Sequence, residues 1–173
     1  SVSPAHIEKL GKYLASEKAV LNSRQLPFRF LVAYREVSKL NSGYTGYIMG
    51  SLETALKISV NNMRGFGLDT RLVIACDVSG SMQKAVSAKS KVLLYDIGLL
   101  LGMLLQSKCK NVVAGMFGDT WKRLSLPAKN VLANVDAFYK REGEVGYATN
   151  GYLVLEDLVR RRYVADKIML FTD

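Results

Sequence analysis

Three hard oxygen donors at every second position, Asp77, Ser79 and Ser81, follow directly on the apolar run Leu72-Val73-Ile74-Ala75-Cys76. An apolar run of that length bounded by turn residues predicts a fully buried strand. The segment behind it, from about Lys84 to Ser107, predicts a long helix burying Val92, Leu93, Ile97, Leu100, Leu101 and Leu104. The motif is therefore expected at a strand-to-helix turn. In an open α/β sheet, side chains and helix N-terminal amides at such a turn project into the crevice at the strands' carboxyl ends, where ligands bind. A carboxylate and two hydroxyls converging there suit a small hard cation, magnesium first, held with several waters and an open position. The same residue types also cap helices and Gly80 would ease the turn, so this stretch alone leaves a plain helix start open.

Two further stretches bear on that choice. Gly146-Tyr147-Ala148-Thr149-Asn150-Gly151 is a turn-rich loop offering another hydroxyl, and Ile168-Met169-Leu170-Phe171-Thr172-Asp173 is a second apolar strand ending in a carboxylate. Strand-Asp-x-Ser-x-Ser, a loop Thr and strand-Thr-Asp, in that order, resemble the metal-ion-dependent adhesion site of von Willebrand factor A domains. The resemblance implies a magnesium site of Asp77, Ser79, Ser81, Thr149 and Asp173. In that family the Ser hydroxyls and often the Thr touch the metal, and the carboxylates act directly or through water. An acidic group of a partner fills the open position. The fold it implies is α/β, Rossmann-like, with a mainly parallel sheet flanked by helices; a sheet that stops at Asp173 is expected to be incomplete at its C-terminal side.

The elements that must position these groups follow from the rest of the chain. A length of 173 residues with 49% hydrophobic and 23% charged residues is that of an ordinary globular domain, or of one domain with part of another. No run is long enough to span a bilayer, and Ser1-Val2-Ser3-Pro4 lacks the layout of a secretion signal, so a cytoplasmic location is expected. Cys76 and Cys109 have no zinc spacing and are not expected to pair; Cys76 is expected to serve packing. The net charge of +9 calls for an acidic partner such as RNA or an anionic surface. It is spread over the chain, with nine basic against five acidic residues up to Thr70 and fifteen against ten beyond it.

Up to about Gly67 the pattern is helical. Ser3 followed by Pro4 marks a helix start, with Ile7, Leu10 and Leu14 at helical spacing. Pro27 opens a second helix, apolar on nearly all sides through Phe28, Phe30, Leu31, Val32, Tyr34 and Val37, which must be enclosed by neighbours. A third, from about Tyr47 to Met63, is one-sided, and Gly65-Phe66-Gly67 breaks the pattern. Domains of 1–67 and 68–173 follow. Beyond the boundary, Asn111 to Asp119 predicts a strand and turn, and helices are expected around Val131 to Tyr139 and from Asn150 to Arg162; alternating β and α elements imply parallel strands.

Ser23-Arg24-Gln25-Leu26-Pro27-Phe28-Arg29-Phe30-Leu31 with Ala33-Tyr34, then an amphipathic helix and the metal-site strand, resembles the end of the TROVE module running into the A domain of the Ro autoantigen family. In that family a ring of HEAT-like helical repeats binds small noncoding RNAs, Y RNAs among them, and misfolded RNAs. The resemblance implies a ribonucleoprotein component working in RNA quality control. It also implies an acidic protein partner at the metal site, an RNA-processing nuclease being one option. Most of the helical ring is absent upstream, so the chain is expected to be a fragment or one piece of a split protein. The reading from another class is a metal-dependent protein-interaction module that binds no RNA.

Arg24, Arg29 and Arg35 suit RNA contact, because a guanidinium offers a planar fork to phosphate and stacks on bases; ordinary surface charge explains them equally well. Arg160-Arg161-Arg162 suits phosphate too, although a basic run in a helix's last turn also complements the helix dipole. The sole histidine, His6, is expected to be exposed, Trp121 to pack, and Asp119 to line a surface. With no histidine to partner a Ser nucleophile and no phosphate-loop motif, the expectation is a binding protein and not an enzyme.

Overall fold

The computed structural model of the protein describes residues 3–127 and 129–173. The chain forms two compact units, one ending at Gly65 and one beginning at Phe66. No helix among the described residues is long and apolar enough to cross a membrane.

The first unit holds four helices, α1 (Pro4–Leu14), α2 (Glu17–Ser23), α3 (Pro27–Val37) and α4 (Thr45–Ser59). Local chemistry sets their starts. The Ser3 hydroxyl accepts the His6 N–H ahead of Pro4, and Ser16 accepts the Ala19 N–H at the head of α2. Helix α2 ends where Arg24 takes a left-handed conformation at φ 51°, and Pro27 then opens α3. Helix α4 is the hub: Ile48, Leu52, Ala55, Leu56 and Ser59 lie buried on one stripe, against which α1, α2 and α3 pack. Helix α3 differs from expectation. Only Pro27 and Leu31 are buried, and Phe28, Phe30, Val32, Tyr34 and Val37 are half-buried, because α4 covers one stripe of it and no more.

The second unit is an α/β sandwich, the class expected from the sequence. Its strands are β1 (Arg71–Asp77), β2 (Asn111–Phe117), β3 (Trp121–Leu124) and β4 (Lys167–Phe171), in the order β3-β2-β1-β4. Strand β1 runs parallel to both neighbours, with Cys76 opposite Met116 on one side and Phe171 on the other. Residues Leu72 to Ser79 are all buried, as a strand covered on both faces requires. The expectation of parallel strands holds for these three; β3 is antiparallel to β2, because the four residues from Gly118 to Trp121 make a tight return.

The helices are α5 (Leu94–Leu105), α6 (Val131–Tyr139) and α7 (Tyr152–Arg160). The long helix expected from Lys84 to Ser107 is shorter. A 3-10 turn at Gly80–Gln83 and a loop that folds Ala85 against Leu93 precede α5, so Val92 is buried from a loop. The break lies where Ser87, Lys89 and Ser90 crowd together with little to bury, and Asp96 accepts the Leu93 N–H to start the helix late.

Helix α5 covers the face of β1 that presents Ile74 and Cys76, and α7 covers the other through Val154 and Leu158 against Val73, Ala75 and Phe117. The chain thus leaves β1 over one face to reach β2 and returns to its other side at β4 after α7 on the opposite face. The carboxyl end of β1 is therefore the topological switch point, where an open sheet parts its connections and leaves a crevice.

Two features of this unit give measurable outcomes. At Gly98 of α5 an added Cβ would stand 2.6 Å from Cys76 Sγ and 3.1 Å from the Phe171 ring, so helix and sheet meet only because that side chain is missing. Gly98→Ala is expected to lower stability by about 1–3 kcal/mol through overpacking, read as a fall in the urea midpoint. The second concerns acid. Hydrogen bonds from Arg141 and Lys122 hold the Glu144 carboxyl down from 4.5 to about 2, and those from the Arg71 side chain and backbone hold Asp166 down from 3.8 to about 2. Both folded values lie below the unfolded ones, so their stabilisation is complete above pH 4.5 and lost as the pH falls towards 2. The urea midpoint should be flat down to roughly pH 5 and then decline, with a shallower decline in Glu144→Gln/Asp166→Asn.

Candidate functional site

Strand β1 delivers Asp77 to the crevice with none of its surface exposed. A buried carboxylate must have its oxygens satisfied, and both are. Asp77 Oδ1 accepts the Ser79 backbone N–H at 2.8 Å, folding the chain back at the strand's end, and Oδ2 accepts the Thr172 hydroxyl at 2.7 Å. Ser79 Oγ and Ser81 Oγ lie 3.1 Å apart, and Ser81 Oγ donates to Asp173 Oδ1 at 2.8 Å. Asp77, Ser79, Ser81, Thr172 and Asp173 thus form one hydrogen-bonded chain spanning the ends of β1 and β4. It runs from the fully buried Asp77 and nearly buried Ser79 outward through half-buried Ser81 to exposed Asp173.

The strand-to-helix turn expected here is a strand-to-3-10 turn, and no side chain caps it. The serine hydroxyls are spent on each other and on Asp173, not on helix amides. Thr172 is the participant that sequence reasoning passed over. Its one signal was its place beside Asp173 at the end of an apolar run; the parallel register that sets Phe171 beside Cys76 is what brings it to Asp77.

Thr149 lies on the loop next to this crevice. Asn150 N–H donates to Gly118 O and Thr120 N–H to Val145 O, docking the loop on the turn after β2, and Asp119 accepts the Ala148 N–H. Gly118 permits this approach, because a Cβ there would meet the Gly146 carbonyl. The Thr149 side chain is exposed and stands outside the hydrogen-bonded chain.

The donor set fits a hard divalent cation. A carboxylate, two hydroxyls and a second carboxylate are the oxygen ligands such ions select. The Ser79, Ser81 and Asp173 oxygens lie 3.1 and 2.8 Å apart as hydrogen-bonded neighbours, so these three groups face one another. The hydroxyls are essential to the set: among the described residues no three His, Cys, Asp or Glu side chains cluster as metal ligands. Cys76, one residue before Asp77, adds nothing to it. Burial, with Asp77 beside it, pushes its thiol up to about 12, and burial also raises Cys109, so both stay protonated packing groups.

The arginines proposed for RNA are dispersed. Arg24 lines a cleft of about 400 Å³ in the helical unit together with Gln25, Asn61, Asn62 and Arg64. Arg29 is exposed and Arg35 half-buried on α3. Six residues apart, they point about 120° from each other around a helix of about 3.6 residues per turn. Arg64, Asn61 and Asn62, on the turn after α4, are cleft residues that sequence reasoning missed; their only signal was that polar residues follow the end of the apolar stripe. In the second unit Arg160 and Arg161 both bind Asp157.

No family model matches the sequence, and no curated protein matches it. Among solved structures, the crystal structure of the Deinococcus radiodurans Ro (RSR) protein is similar, with a TM-score of 0.70 at 15% sequence identity. The alignment covers 99% of this chain, both units included, and 35% of that protein, so the chain spans about a third of its structural neighbour's length.

Proposed function

We propose that the protein is a Ro-type RNA-binding ribonucleoprotein component. It engages small noncoding RNA of the Y type or misfolded RNA in RNA quality control in the cytoplasm, and it carries a divalent-metal centre that receives an acidic partner. The observation that carries this reading is the shared fold: one solved Ro protein matches the helical unit and the α/β unit in the same order over 99% of the chain. The TROVE-like stretch from Ser23 to Tyr34 and the excess of basic residues support it independently.

In this reading Arg24, Arg29 and Arg35 meet RNA phosphates, Arg24 from the polar cleft it shares with Arg64. Asp77, Ser79, Ser81 and Asp173 would hold magnesium, with Thr149 on the loop docked on the turn after β2. The bound ion supplies positive charge and an open position for a carboxylate oxygen, such as that of an RNA-processing nuclease. Thr172 keeps Asp77 oriented by its hydrogen bond, and Ser81 retains lone pairs beyond the proton it donates to Asp173. Binding and not catalysis is the proposed activity. The one histidine bonds Ser3 at the surface of α1, and both thiols are held protonated.

Two experiments test the halves separately. Calorimetric titration of the whole chain with magnesium should show saturable uptake that Ser79→Ala/Ser81→Ala weakens at least tenfold; equal affinity in the variant, with an unchanged circular dichroism spectrum, removes the metal assignment. Affinity for a small structured RNA should fall steeply with added salt, and Arg24→Gln/Arg29→Gln should reduce the log–log slope by about 1 for each phosphate that is no longer neutralised. A flat salt response, together with a chelator-sensitive protein partner that survives nuclease treatment, replaces the RNA reading with that of a protein-interaction module.

A further inference from the structure

The second unit carries a charged cleft that plays no part in the metal centre. Strand β3 and helix α7 enclose about 480 Å³, lined by Trp121, Lys122, Arg123, Glu156, Arg160 and Arg161 around Asp157. Asp157 is 6% exposed and saturated. Its Oδ1 accepts Arg160 Nη2 and Arg161 Nε, each at 2.8 Å, and its Oδ2 accepts Arg123 Nε at 3.1 Å and Trp121 Nε1 at 3.3 Å. Burial raises its carboxyl, but the bonds from Arg161, Arg160 and Trp121 outweigh this and hold it well below the usual carboxylate range.

One carboxylate therefore holds three guanidiniums, a surplus of two positive charges. Arg160 and Arg161 are bonded to the same oxygen, so the two groups are held side by side, and each has spent a single N–H there while its side chain stays 74% and 54% exposed. A guanidinium has five N–H donors, so most of theirs remain unspent. Arg123 Nη2 is buried 3.0 Å from Asp157 Oδ2 yet makes no hydrogen bond. Lys122 pairs with Glu144, while Asp119, which accepts the Ala148 N–H, and Glu156 on the exposed rim are further carboxylates of the lining that oppose an incoming anion.

We propose that this cleft is a phosphate-binding site. Two adjacent guanidiniums preordered on a buried carboxylate, with unspent forked donors, match a tetrahedral phosphate group with several acceptor oxygens. Fixing the forks in advance lowers the ordering cost of binding. The phosphate comes either from an RNA strand or from a free phosphate compound. Trp121 reports binding from either source, because it is the chain's single tryptophan and lies in the cleft.

The test follows Trp121 fluorescence of the full chain in chloride buffer during titration with inorganic phosphate and, separately, with a short single-stranded oligouridylate. A saturable change is expected with at least one. Saturation by oligouridylate at concentrations where inorganic phosphate is silent assigns an RNA source, and the reverse assigns a free phosphate. Arg160→Gln/Arg161→Gln should weaken that binding at least tenfold. Glu156→Gln, which removes an opposing charge and breaks no ion pair, should tighten it two- to threefold, a gain that misfolding cannot imitate. No saturable change with either probe, or an affinity unmoved by Glu156→Gln, overturns the proposal.

Discussion

The second unit depends on the parallel pairing of β4 with β1. That register sets Phe171 opposite Cys76, so Thr172 and Asp173 emerge beside Asp77 although 95 residues separate Thr172 from it. Without it Asp77 would be a buried carboxylate with one oxygen unsatisfied, an arrangement that costs about 1–3 kcal/mol or more for a charged group. The same pairing is held at its other end by Arg71, which binds Asp166 just before β4, so the two strands are pinned at both ends. Between the pins, the close approach of Gly98 to Cys76 and Phe171 leaves α5 no room to slide.

Polar groups in this fold are placed by one rule: a carboxylate taken out of water collects donors until its oxygens are occupied. Asp77 collects a backbone amide and a hydroxyl, both neutral, and stands beside further oxygens, an environment that suits the proposed cation. Asp157 collects three guanidiniums and an indole, and the environment it creates attracts an anion. The two proposed sites thus differ in the sign of their ligand because of what their buried carboxylates have gathered. The surplus of basic residues is accordingly not one diffuse field. Part of it is spent on Asp157, Glu144 and Asp166, and part is left on forks and clefts that face solvent.

Sequence alone determined the strand Leu72 to Cys76, the strand and turn within Asn111 to Asp119, the helix starts at Pro4 and Pro27 and the α/β class. Each is written in a local pattern: an unbroken apolar run, a proline able to open a helix, with the capping Ser3 before Pro4, and an alternation of element types. It also marked Asp77, Ser79, Ser81 and Asp173, because the spacing of oxygen donors behind strands is visible in one dimension. What only the tertiary structure decided is where these groups meet and what else joins them. The late start of α5, the antiparallel β3, the part of Thr172 and the gathering of Arg123, Arg160, Arg161 and Trp121 on Asp157 all arise from contacts between residues far apart in the chain. Local sequence encodes backbone preference and burial, whereas the partner a buried charge finds is set by strand register and by which helix covers which face, and neither is a property of any single stretch.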